Sequence, residues 1–103
     1  MTPLDPTMAR ELAAGLQGWT VDTERGALHK RFEFVDFATA FRFMTTMAAH
    51  SETHNHHPEW FNVYNRVDIT LTTHDVNGLS TLDLDWARAA DAAQAALATS
   101  GAA

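Results

Sequence analysis

The chain has no cysteine among its 103 residues. That excludes disulfides, thiolate metal sites and a cysteine nucleophile together. Bridges would be more usual in a small secreted domain. Basic residues are scarce too: seven Lys+Arg stand against thirteen Asp+Glu, a formal net charge of −6. Nucleic-acid binders normally present a basic face, so direct nucleic-acid binding is disfavoured. Long apolar runs are missing, and no stretch approaches the roughly 20 residues that span a bilayer. The start MTPLDPTMAREL has no signal-peptide core, because Arg10 and Glu11 break it early. These absences predict a soluble, cytoplasmic protein with no membrane partner. There is no long linker, no repeat and no low-complexity tract apart from the Ala-rich tail, Ala87 to Ala103.

What is present is an apolar content of 46%, enough for a core. The length suits one domain, residues 1–103. The unusual feature is six histidines, four of them between His50 and His57 in the run HSETHNHH.

Periodicity gives the element order. Asp5-Pro6 is a helix start, with Met8, Leu12 and Leu16 as an i, i+4, i+8 stripe and Gly15 and Gly18 marking the end. Trp19 and Val21 then share a strand face. A turn at 23–26 follows, with Gly26 free to take positive φ. Leu28, Lys30, Phe32 and Phe34 form the face of a second strand, with Lys30 expected near an edge. Asp36 caps a helix whose apolar face is read as Phe37, Phe41, Met44 and Ala48, widened by Ala40 and Met47. That helix reaches about His50 or a little beyond, and Pro58 bars its continuation. Phe61, Val63 and Asn65 make a short strand, Asn65-Arg66 a tight turn, and Val67, Ile69 and Leu71 alternate with Asp68, Thr70 and Thr72 in another. Asn77-Gly78 is a turn. Ser80 and Asp83 imitate a capping box at the start of a last helix with the stripe Leu82, Trp86, Ala90, Ala93 and Leu97. The order α-β-β-α-β-β-α predicts an α+β fold, a four-stranded antiparallel sheet with helices packed on one face.

The chemistry concentrates between Glu52 and Asp83. His56-His57-Pro58 sits on a turn that Pro58 stiffens, and Thr73-His74 closes the last strand. Imidazole titrates nearest neutrality, so two such groups can remove one proton and deliver another. His56 or His57 facing His74 would do this, and Asp83 could hold one ring in a fixed tautomer. The plainer reading of Asp83 is a helix-capping acid, and that of the histidines a solvated polar loop. A metal site is a third reading, since His50 and His54 at i, i+4 share a helix face. The intervening Glu52 is displaced by one place from the metalloprotease His-Glu-x-x-His pattern. Trp60, Phe61 and Tyr64 could stack on a flat heterocycle, although core packing is expected for at least two of them.

The run Glu52-Thr53-His54-Asn55-His56-His57-Pro58-Glu59-Trp60-Phe61-Asn62-Val63-Tyr64-Asn65-Arg66-Val67 closely resembles the pterin-4a-carbinolamine dehydratase family. So do Ile69-Thr70-Leu71-Thr72-Thr73-His74, Gly78-Leu79-Ser80 with Asp83, the approach from Phe32 to Met44, and Gly18-Trp19. The resemblance runs from about Leu4 to Asp91. It implies dehydration of a 4a-hydroxytetrahydropterin to the quinonoid dihydropterin, recycling the pterin spent by aromatic amino-acid hydroxylases. It implies no metal and no organic cofactor, the same α+β sandwich, and a homodimer or homotetramer. By position it makes His56, His57 and His74 catalytic and Glu52 and Asp83 supporting, with Pro58 and Trp60 shaping the substrate site. His56 and His74 would serve the 4a-hydroxyl and N5, while His57 orients the ring. His54 departs from the family, which more often has an apolar residue there, and His50 lies outside the motif. Animal members also bind a homeodomain transcription factor. The competing class is therefore an interaction scaffold, for which Phe43 and Met47 on the flank of the second helix are the candidate surface.

Overall fold

Asp5 opens the first element. Its carboxylate accepts the Met8 N–H at 2.9 Å, and Pro6 occupies the first turn. In the computed structural model, which describes residues 3–101, the elements are α1 (Pro6–Ala13), β1 (Thr20–Asp22), β2 (Ala27–Glu33), α2 (Phe37–His54), β3 (Glu59–Val63), β4 (Arg66–Leu71), a 3-10 turn (His74–Val76) and α3 (Thr81–Gly101). The Ala-rich tail is the end of α3, and its last two residues, Ala102 and Ala103, lie outside the described residues.

The strands pair antiparallel in the order β1-β2-β4-β3. Leu28 pairs with Leu71, Lys30 with Ile69 and Phe32 with Val67. Alternation puts these six side chains on one face, and all but Lys30 are fully buried. All three helices contribute to the same buried cluster, with Ala9 and Ala13 from α1, Ala40, Phe43 and Met47 from α2, and Leu84, Trp86, Ala87 and Ala90 from α3. The α+β architecture is as the periodicity predicts. Phe32 anchors the core, its ring centroid 4.8 Å from Phe43 and 5.9 Å from Trp19. Burying each such ring stabilises the fold by about 1.5–3 kcal/mol.

Four expectations change. Lys30 is on an inner strand, not an edge. Its Nζ lies 4.7 Å from the Phe32 ring centroid and donates to Gln17 O and, at 2.8 Å, to Asp91, so the charge is paired where it stands. On α1 the inward residues are Ala9 and Ala13, and Met8 and Leu12 are exposed; Leu16, past the end of the helix, is buried as expected. On α2 the inward face is Ala40, Phe43, Met47 and Ser51; of the expected face Ala40 and Met47 are buried and Met44 half-buried, whereas Phe37, Phe41 and Ala48 face out. Both stripes are apolar, so hydropathy alone does not choose. Packing against α3 does, since Ser51 Oγ accepts the Trp86 indole N–H at 2.9 Å and itself donates to Met47 O at 2.7 Å. Phe43 and Met47 are therefore core residues, 0% and 1% exposed, and cannot form the scaffold surface anticipated for them. Finally, the β3–β4 turn is at Tyr64-Asn65, one residue earlier than expected, with Tyr64 at φ 51°.

Candidate active site

The end of α2 determines where the histidines go. Asn55 takes a left-handed conformation (φ 50°, ψ 45°), which asparagine tolerates better than most residues. Its N–H reaches Glu52 O, and the following His56 N–H reaches Ser51 O at 3.0 Å. This paired closure reverses the chain in one step and turns His56 inward, where it is 8% exposed. The segment 56–58 then runs into β3, and Pro58 keeps His57 from rejoining a helix.

Inside, His56 Nε2 lies 2.6 Å from Asp83 Oδ1. Asp83 is fully buried at the start of α3. Its other oxygen, Oδ2, accepts from Thr73 Oγ1 at 2.7 Å and from the Ser80 N–H at 3.0 Å. Asp83 therefore meets the start of α3 and an imidazole with one carboxyl group. A buried charge is tolerable only when its oxygens are satisfied in this way.

Outside, His57 Nε2 lies 2.6 Å from Glu52 Oε2. This pair is exposed, so it orients the ring but adds at most about 1 kcal/mol to stability. Glu52 and His57 line a recess of about 260 Å³ with Ala48, Ser51, Pro58 and Trp60. That is near the lower end of small-molecule sites, which begin at roughly 300 Å³. A larger groove of about 480 Å³ lies between the end of β2 and α3, near Phe34, Asp91 and Leu97, but it holds no histidine. Volume alone does not select the site.

His74 is exposed and opens the 3-10 turn after β4. Its imidazole makes no hydrogen bond to a described residue. Its link to the pair is the backbone, since Thr73, which grips Asp83, is the preceding residue. Of the three aromatics considered for stacking, Trp60 alone lines the recess, its ring 6.3 Å from Trp86 and edge-on to it. Phe61 and Tyr64 are 60% and 63% exposed, contrary to the core packing expected for at least two of the three. β3 is an edge strand, and alternation sends Trp60 inward and Phe61 outward. The sequence reading missed Thr73 and Ser51. Threonine beside the candidate His74, and serine on the inward stripe of α2, were the signals that could have found them.

His50 and His54 stack with ring centroids 4.2 Å apart, and His50 also meets Trp86 edge-on. Burial lowers the basicity of His50 from its ordinary 6.5; the His54 charge, and to a smaller degree that of His56, add to the effect, while Asp85 opposes it. Among the described residues, no three His, Asp or Glu side chains group as a metal would require. No described helix is long and apolar enough to cross a membrane.

Comparison with known proteins agrees with this architecture. Residues 2–93 match the model of the family described as pterin 4 alpha carbinolamine dehydratase. A Rhizobium rhizogenes protein, provisionally named a pterin-4-alpha-carbinolamine dehydratase, is 50% identical over 92 residues, 89% of this chain and 91% of its own. A Burkholderia cenocepacia protein with the same provisional name is 54% identical over 81 residues, 79% of each chain. The crystal structure of a Brucella melitensis protein described as a transcriptional coactivator/pterin dehydratase superposes with a TM-score of 0.88 at 44% identity, over 90% of this chain and 99% of that one. A pterin dehydratase-like protein described as a RuBisCO assembly factor in the alpha-carboxysome gives 0.67 at 28% identity, over 76% and 90%. With this site, this fold and a match across most of its length, the chain belongs to the pterin 4 alpha carbinolamine dehydratase family.

Proposed function

We propose that the protein dehydrates a 4a-hydroxytetrahydropterin to the quinonoid dihydropterin. The observation that carries this reading is the buried His56–Asp83 pair, tied through Ser51 to the recess that His57, Glu52 and Trp60 line. In the reaction the N5–H bond breaks and its electrons form the C4a=N5 double bond. The C4a–O bond breaks, and the hydroxyl leaves as water after taking a proton. Atoms and charge balance with one proton removed and one supplied, and no electrons are exchanged. Two imidazoles suffice, each in general acid–base work worth roughly 10²- to 10⁴-fold.

His56 and His74 serve N5 and the 4a-hydroxyl. His57, braced by Glu52, binds and orients the ring, and Trp60 and Pro58 shape the wall it meets. Asp83 supports His56 from behind. The same reading makes the protein a cytoplasmic, homodimeric or homotetrameric participant in recycling the pterin used by aromatic amino-acid hydroxylases. Self-association is supported by the outward-facing Phe37 and Phe41 of α2, 46% and 54% exposed.

The test is loss of the 4a-carbinolamine absorbance with and without purified protein. A rate well above the uncatalysed dehydration is expected, falling roughly 10²-fold or more in His57→Ala and in His74→Ala. A rate equal to the uncatalysed one would overturn the reading.

A further inference from the structure

We infer that Thr73 is a positioning residue that sets the tautomer of His56 through Asp83 and, through its own backbone, fixes where His74 leaves the sheet. The kinetic side of this inference rests on the dehydratase reading; the tautomer side does not.

Thr73 is 4% exposed and sits at the neck of the loop that carries His74. Its N–H donates to Gly78 O at 2.8 Å, and its carbonyl accepts the Gly78 N–H at 3.3 Å. The backbone is thus held on both sides of the loop, and His74 starts from a fixed point.

The side chain has a definite polarity. A threonine hydroxyl has one proton, and here it goes to Asp83 Oδ2 at 2.7 Å. The 2.8 Å contact between Thr73 Oγ1 and Ser80 Oγ must then have Ser80 as donor. Ser80 Oγ in turn accepts the Leu82 N–H at 3.3 Å. Every proton in the row Leu82, Ser80, Thr73 points toward Asp83. With the Ser80 N–H also on Oδ2, that oxygen faces two donors and carries no proton of its own. Asp83 as a carboxylate leaves Oδ1 an acceptor, and the inferred 2.6 Å hydrogen bond to His56 then uses a proton carried on Nε2. A neutral His56 then has Nδ1 bare, able to take a proton from substrate. The other titratable side chains around His56 are its neighbour His57 and, on α2, His50, whose titration is sensitive to the charge of His56.

Thr73→Val keeps the shape and removes the hydroxyl proton. Asp83 Oδ2 loses a donor, the Ser80 hydroxyl loses its acceptor, and a proton can move from Nε2 to Asp83. Thr73→Ser keeps the hydroxyl and loses only a methyl group. Nitrogen NMR of the His56 ring near neutral pH should show a proton fixed on Nε2 in the unsubstituted protein and in Thr73→Ser, and a mixed tautomer in Thr73→Val. In the dehydratase assay kcat should fall roughly tenfold in Thr73→Val with KM unchanged, about 1.4 kcal/mol of barrier, and recover in Thr73→Ser. An unchanged tautomer in Thr73→Val, or an equal loss of kcat in Thr73→Ser, overturns the assignment. Should Thr73→Val not fold, Thr73→Ala, which removes the same hydroxyl proton with a smaller side chain, is read by the same NMR signal: a mixed tautomer supports the inference and a fixed one overturns it. If the unsubstituted protein has no dehydratase activity, the functional reading fails, while the NMR arm still decides the role of Thr73.

Discussion

Asp83 and His56, 27 residues apart in sequence, share a hydrogen bond of 2.6 Å in the interior, and the same carboxylate caps α3 through the Ser80 N–H. Helix start and candidate catalytic group are therefore one structural unit. A substitution that loosens the cap also loosens the imidazole.

Asp83→Asn tests that unit. Asparagine accepts at the cap only with its NH₂ group turned to His56; turned the other way, the NH₂ meets the Thr73 and Ser80 donors. Stability should fall by about 1–3 kcal/mol, the cost of leaving a buried donor or acceptor unmatched. Dehydratase activity should fall roughly 10²-fold or more, since the ring loses the partner that fixes its proton. Thermal or urea unfolding and initial rates on the same preparations check both numbers.

Asn55 should accept glycine and reject β-branched residues. At φ 50°, Asn55→Gly removes side-chain strain and keeps the reversal. Asn55→Val forces a β-branched residue into the left-handed region, at about 1–2 kcal/mol. Activity should fall further than stability alone predicts, because the His56 N–H to Ser51 contact depends on this turn. Urea midpoints and kcat for the two variants are the measurement.

His50 makes stability pH-dependent in a defined direction. Burial first, and His54 second, lower it below its ordinary 6.5, so the unfolded chain takes up this proton before the folded one does. The unfolded state then binds more protons in that window, and stability rises with pH. The contribution is complete above about 6.5 and is lost as pH falls from there toward the lowered folded value. His50→Gln should flatten the slope of unfolding free energy between roughly pH 7 and 5. An unchanged slope would assign the dependence to other groups.

Phe43 and Phe41 should part company although they are two residues apart on one helix. Phe43 is 0% exposed, and Phe43→Glu places a charge in the core, which costs several kcal/mol and should abolish folding. Phe41 is 54% exposed, and Phe41→Glu should change monomer stability by no more than about 0.5 kcal/mol. If the outward face of α2 carries self-association, sedimentation should show Phe41→Glu shifted to smaller species with its fold intact.

The amino-acid sequence by itself determined the element order. The alternation Val67, Ile69, Leu71, the caps Asp5 and Asp36 and the turn glycine Gly26 act over a few residues, and local spacing reports local geometry. It also determined the family, because the HHPEW run, the later Thr-His and the Ser80–Asp83 pair survive as a pattern of residue types. What the tertiary structure alone decided is which of two apolar stripes on α2 turns inward. Both satisfy the same helical period, and the choice rests on α3, where Trp86 needs an acceptor and Ser51 supplies it. It likewise decided that Asp83 serves the cap and His56 at once, and that Thr73 joins them. Such contacts depend on distances across the core between residues far apart in the chain, and hydrophobic periodicity contains no term for them.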